Sequence, residues 1–233
     1  SRVEREWIET TFPRQITTKV EHLYDRTHKR VAAVKLVRFH DLVIHHEHQR
    51  ELDPSGSAQC LAEAYAKDLF ELPLYNHELK QFVARVNLVH RLMPELDVPA
   101  FDEQAALQRA FRGLSLAKEA QAAPLRDAFL AHLPKEQLAW IDELAPAAVP
   151  WLGDKKLKLQ YEDAPEAQVK LHEWFPLTAH PKICEGKVPV KLWLCAPDGK
   201  RIESTTDWPA FKATIYPKLK PQLQKKYPGF TWL

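Results

Sequence analysis

His40, His45, His46 and His48 are the first side chains in this chain whose type and spacing could do chemistry. Neutral imidazoles two residues apart on a strand share a face and can hold a transition metal. No carboxylate or thiol stands at a useful spacing beside them, so the plainer reading is a polar strand end. The neighbouring carboxylates Asp142-Glu143 and Glu162-Asp163 read as turn or solvated positions, because acid–base work needs two carboxylates brought together by the fold. Serine, histidine and aspartate all occur, but no nucleophile elbow does. With six glycines in all, the chain has neither Gly-x-x-x-x-Gly-Lys nor Gly-x-Gly-x-x-Gly, the loops that cradle phosphates. The sequence gives no reason to expect catalysis by this chain alone.

The C-terminal tail is the better candidate for a binding surface. Trp208, Phe211, Tyr216, Tyr227, Phe230 and Trp232 are interspersed with Lys212, Lys218, Lys220, Lys225 and Lys226, and no acid follows Asp207. Lysines pair with phosphates and aromatic faces stack on unpaired bases. The competing reading has the aromatics anchoring two terminal helices while the lysines form a solvated face. The aromatics fit the anchoring role better; for the lysines both readings stay open. Lys191, Lys200 and Arg201 around a later hairpin, and Arg30, Lys35 and Arg38 in an early meander, complete the set of nucleic-acid-binding candidates. No catalytic or metal-binding residue is assigned.

Charge distribution permits such a partner without requiring it. Residues 1–50 hold ten lysines and arginines against seven acids, residues 51–145 nine against fifteen, and residues 146–233 fourteen against nine. Two weakly basic ends thus flank an acidic middle. Cys60, Cys184 and Cys195 lack metal-ligand spacing and read as free buried thiols, which fits a reducing cytoplasm. No apolar run approaches the roughly 18 residues of a membrane span, and the polar start Ser1-Arg2-Val3-Glu4 is not a signal peptide. Met93 is the only methionine, so the chain is expected to be a piece of something longer.

The elements that must position these residues follow from periodicity. A short helix is expected around Glu4–Thr10. Alternation at Val20, His22 and Tyr24, a turn at Asp25–His28 and the run Val31–Ile44 predict a β-meander of two or three strands. Apolar residues at helical spacing predict helices over Ser57–Phe70 and from Leu79 to Leu92, then over 102–112, 124–132 and 134–144, punctuated by prolines. Further on, Leu157, Leu159 and Tyr161 alternate as a strand, and Glu166–Phe175 reads as an amphipathic helix. Val188–Leu194 and Arg201–Ser204 read as a hairpin about Pro197-Asp198-Gly199. Trp208–Lys226 reads as two helices split at Tyr216-Pro217. The expected fold class is α+β in three parts: a β-rich portion over 1–50, a helical bundle over 51–146, and a C-terminal α/β part over 147–233.

The segment "PKICEGKVPVKLWLCAPDGKRIESTTDWPAFKATIYPKLKPQLQKKYP" resembles the C-terminal region of the HrpB family of bacterial DEAH-box ATP-dependent helicases. The likeness rests on Pro181, Ile183, Gly186, Val188 and Pro189, on the turn at Pro197, and on Asp207, Phe211, Tyr216-Pro217 and Tyr227-Pro228. "AQVKLHEWFPL" looks like that family's helix before the strand, and "YDRTHKRVAAVKLVRFHDLVI" is similar in order and spacing. The family tends to carry Gly-x-Leu where this chain has His40-Asp41-Leu42. The resemblance implies a partial OB-like module at the start, a type that binds single strands through a basic, aromatic-bearing face. It further implies that ATP and magnesium belong to motor lobes outside this stretch. Single-stranded RNA or DNA and those lobes would be the partners, and no membrane is implied. A protein-interaction scaffold without nucleic-acid contact is the alternative.

Overall fold

The computed structural model describes residues 5–233; residues 1–4, on which the reading of a polar start rests, lie outside them. The chain is α+β, as its periodicities predict. It packs as two compact units: one takes the chain up to Asn76 and again Asp102–His132, the other His77–Phe101 and Leu133–Leu233. The helices between residues 51 and 146 are thereby shared between both units.

In the first unit, α1 (Arg5–Thr11) precedes three antiparallel strands in the order β1 (Ile16–Asp25), β2 (Arg30–Phe39) and β3 (Leu42–Gln49). Asp25 shapes the first turn by accepting backbone N–H groups from Thr27 at 2.9 Å and His28 at 3.1 Å. The second turn is shorter, joining Phe39 to its partner Leu42, and His40 takes a positive φ of 51° there. Glycine adopts that conformation at least cost, and here a histidine carries it. Helix α2 (Pro54–Ala66) starts where the Asp53 carboxylate accepts the Gly56 N–H at 2.6 Å. It packs against α4 (Glu103–Ala110), which packs in turn against α6 (Leu125–Leu130), and Leu61, Leu107, Phe111, Leu125 and Phe129 are buried there. The short helix α5 (Ala117–Gln121), which periodicity does not reveal, buries only alanines.

The second unit is built on a four-stranded sheet in the order β11 (Arg201–Thr205), β10 (Lys191–Cys195), β7 (Pro165–Lys170), β6 (Gln160–Tyr161). Strand β10 pairs antiparallel with β11 and parallel with β7. Two-stranded pieces flank it, β4 (Ala148–Pro150) with β5 (Lys156–Lys158), and β8 (Lys182–Ile183) with β9 (Val188–Pro189). Helices α3 (His77–Leu92), α7 (Lys135–Leu144), α9 (Trp208–Thr214) and α10 (Tyr216–Lys226) complete it. Their core includes Val86, Val89, Ile141, Leu192, Leu194 and Trp208. Arg85 ties α3 to the end of α7, donating to the carbonyls of Ile141 and Ala145 and to Asp142. A cation among the last carbonyls of a helix is favourably placed, so Asp142 serves this anchor. Gln81 of α3 uses its amide as a strand would, donating to the Tyr161 carbonyl at 3.0 Å and accepting its N–H at 2.6 Å.

Three expectations are corrected here. Leu157 to Tyr161 is not one strand but two, β5 and β6, in different sheets, and Val188–Leu194 is divided between β9 and β10, which also pair in different sheets. Glu166–Phe175 is not a helix: residues 165–170 form strand β7, and only Leu171–Trp174 make a helical turn, α8. Pro165, Ala167 and Val169 are buried, while Glu166, Gln168 and Lys170 are not. That period of two fits a sheet pleat. Only Leu171, Trp174 and Phe175 keep helical spacing, so the apolar stripe was a strand and a helical turn joined end to end. The alternation predicts a contrast along neighbouring central strands. Leu192→Ala should destabilise the chain by about 2–5 kcal/mol, and Gln168→Ala by no more than about 0.5 kcal/mol. Urea unfolding of both variants checks this; equal costs would contradict the pleat.

Candidate nucleic-acid interface

The outward face of the second unit's sheet gathers the chemistry. Because Leu192 and Leu194 point into the core, Lys191 and Trp193 must point the other way. The Lys191 ammonium lies 4.3 Å from the centre of the Trp193 ring, and the Arg201 guanidinium carbon also lies 4.3 Å from it. Arg201 arrives from β11, where it pairs with Cys195, two residues beyond Trp193. Both distances are within the range of cation–π attraction. On the neighbouring strand, Glu166 accepts the Trp193 indole N–H at 2.6 Å and stands 3.5 Å from Lys191. This carboxylate fixes the indole's edge and offsets one cation.

Beside the indole runs a groove of about 460 Å³, whose lining includes Trp151, Lys156, Lys158, Gln160, Gln168 and Arg201. Trp151 stacks on the buried Trp174, ring centres 5.1 Å apart, so it forms a firm wall. Lys156 and Lys158 alternate with buried Leu157 and are exposed. Of the sequence candidates, Lys191 and Arg201 are brought together here. Trp193, Trp151, Lys156 and Lys158 were missed, although one signal was present. In Lys191-Leu192-Trp193-Leu194, two inward leucines leave a lysine and a tryptophan outward on one face.

The other candidates are scattered. Lys200 lies in the β10–β11 turn with Asp198, whose carboxyl is held below its ordinary range chiefly by the Lys200 backbone N–H. Tyr227 also donates to Asp198, at 3.0 Å, and Lys226 lies 5.3 Å from the Tyr227 ring centre. Lys212 donates to the Phe175 carbonyl at 3.1 Å and is engaged in the fold. Lys218 and Lys225, seven residues apart, share the exposed side of α10 opposite buried Tyr216 and Leu223, while Lys220 sits at its margin. In the first unit, Arg30 is exposed at the start of β2, Lys35 faces Glu47 across the strands, and Arg38 donates to Glu21 at 3.1 Å.

Trp208, Phe211, Tyr216 and Trp232 are buried. Phe175 meets Tyr216 at 4.5 Å and Trp208 at 5.8 Å between ring centres. These tail aromatics anchor helices. Cys60, Cys184 and Cys195 are free and buried, and burial pushes the Cys60 thiol up to about 11. His46 and His48 lie on alternate residues of β3. Among the described residues, no three histidine, cysteine or acidic side chains stand where one metal ion could be held. No helix among them is long and apolar enough to cross a membrane.

The chain is a member of the HrpB C-terminal family, described as ATP-dependent helicase C-terminal, which matches residues 106–233. It is 24% identical over 164 residues to the ATP-dependent RNA helicase HrpB of Escherichia coli strain K12, covering 66% of this chain and 20% of that protein. The chain thus spans about a fifth of the length of that curated relative. The crystal structure of the E. coli DExH-box NTPase HrpB superposes with a TM-score of 0.75 at 18% identity, over 100% of this chain and 30% of the other. A crystal structure of the E. coli DEAH/RHA helicase HrpB gives 0.68 at 18% identity, over 94% and 29%. These two likenesses concern the fold.

His180 supports the interface from behind. Its Nδ1 accepts the Trp208 N–H at 3.0 Å, so its Nε2–H donates to the Val190 carbonyl at 2.7 Å, just before β10. Burial lowers its pKa from the ordinary value, the Val190 carbonyl opposing. The fold therefore prefers the neutral ring. That stabilisation is complete above the unfolded value of about 6.5 and is lost as pH falls through the lower folded value. Melting temperatures at about pH 7.5 and about pH 5.5, either side of that value, should decline for the natural chain and decline less for His180→Gln. Identical slopes would remove His180 from this role.

Proposed function

We propose that this chain is a non-catalytic C-terminal accessory region of an ATP-dependent helicase that helps bind or guide single-stranded nucleic acid. The observation that carries the reading is the half-buried, outward-facing Trp193 with Lys191 and Arg201 each at 4.3 Å. Aromatic faces and cations on one sheet face are what single strands require, since every base has a π-face and every linkage a charge. The outward lysines of α10 extend the basic character, and the β-meander is the part assigned to an OB-like module. The curated relative is called an RNA helicase, which makes RNA the first partner to test. ATP and magnesium would be bound by motor lobes of the same polypeptide, in the cytoplasm.

Docking on those lobes has its own support. In the first unit, Trp7, Phe12, Leu42 and Val43 are exposed. Phe12 lies 6.2 Å from Trp7 and 5.5 Å from Phe39 between ring centres, and Leu42 pairs with Phe39, which makes Trp7, Phe12, Phe39 and Leu42 an apolar patch. Such patches mark protein contacts. The same patch favours the second reading, a protein-interaction scaffold that touches no nucleic acid.

Salt separates the two. Fluorescence anisotropy of a labelled single-stranded RNA should show binding that weakens by roughly 10³ between about 50 and about 200 mM salt if about six phosphates are neutralised. Changing Lys218, Lys220, Lys225 and Lys226 to Glu should weaken binding while leaving the melting temperature in place. Unchanged affinity in that folded variant would exclude the α10 surface, and absence of binding at low salt would favour docking alone.

A further inference from the structure

We propose that Arg201 is a stacking platform for one unpaired base, and that the groove beside it is a single-nucleotide site. The inference rests on the nucleic-acid reading above and adds a location and a ligand class to it. A guanidinium is planar and has two faces, and bases stack on such planes as they do on aromatic rings. Trp193 occupies one side of Arg201 at 4.3 Å. Arg201 is exposed, lines the groove, and makes no hydrogen bond or ion pair among the described residues. Its position is thus held by the indole, whose own edge is held by Glu166.

The composition of the groove selects for a base. Lys156, Lys158 and Arg201 face Glu162 and Glu166, a net charge of +1 along the lining. So small an excess attracts a bare polyphosphate weakly, so stacking has to supply the affinity. Gln160 and Gln168 offer exposed amides, each with a donor and an acceptor, the pairing partners that base edges use. Lys156 and Lys158 then meet the flanking phosphates. A groove of about 460 Å³ lies in the size range of small-ligand sites.

The test compares a short single-stranded RNA with a ribose-phosphate strand of equal length lacking bases, each titrated at low salt into the natural chain and Arg201→Lys. The natural chain should bind the base-bearing strand at least about fivefold more tightly, the smaller end of what one stacked base contributes. Arg201→Lys keeps the charge and loses the plane. It should lose that preference, retain its affinity for the baseless strand, and melt at the same temperature. Equal affinity of the natural chain for both strands would overturn the base site while sparing phosphate binding. A preference surviving in Arg201→Lys would remove Arg201 as the platform. Failure to bind either strand would overturn both this inference and the nucleic-acid reading beneath it.

Discussion

The parallel pairing of β7 with β10 is the constraint on which the second unit turns. Its register sets Ala167 beside Leu192 and Val169 beside Leu194, all buried. A pleated strand cannot bury one set of side chains without presenting the other. Hence Glu166 lies opposite Lys191 and Gln168 opposite Trp193 on the outward face. The core demands the leucines, and the interface follows as their geometric complement. A slip by one residue would bury a lysine and a tryptophan and expose the core, so the register is strongly specified.

Much of this architecture was legible because local signals agreed with the tertiary outcome. The β-meander, α3, the β10–β11 hairpin and the break at Tyr216-Pro217 all appear where periodicity and proline place them. The resemblance to the HrpB family was legible in the tail, where spaced prolines, tyrosines and aspartates sit at turns and helix starts. Asp207 is one of these, its carboxylate accepting the Ala210 N–H at 3.0 Å. The strand β7 was not legible as such. Its six residues run straight into a helical turn whose apolar positions extend the pattern, and only pairing with a strand some twenty residues later decides the matter.

The candidate interface was half legible for a related reason. Lys191 and Arg201 could be named from the hairpin, but their convergence depends on how the strand after the turn returns. The bulge between Leu194 and Cys195 sets Arg201 against Cys195, and no linear spacing announces that. Trp151 belongs to a loop whose position depends on its stacking with Trp174. Conversely, the sequence favours anchoring for the tail aromatics but leaves both readings open for the lysines interspersed with them. Helical geometry turns Trp208, Phe211 and Tyr216 inward and Lys218 and Lys225 outward, with Lys212 engaged by a backbone carbonyl and Phe230, beyond the helices, exposed.

The path of the chain through its two units has a further consequence. It passes from one to the other at Asn76, returns after Phe101 and leaves again after His132, so neither unit is a continuous stretch of polypeptide. The segment matching the family begins at residue 106, beyond α3, whose Val86 and Val89 are fully buried in the second unit. A fragment cut at that boundary would open the core along the space of a missing helix. Gene dissection guided by the boundaries of sequence likeness would therefore confuse loss of folding with loss of binding. Point substitutions in the intact chain avoid that confusion, and any transplant of this region must carry residues 77–101 with it.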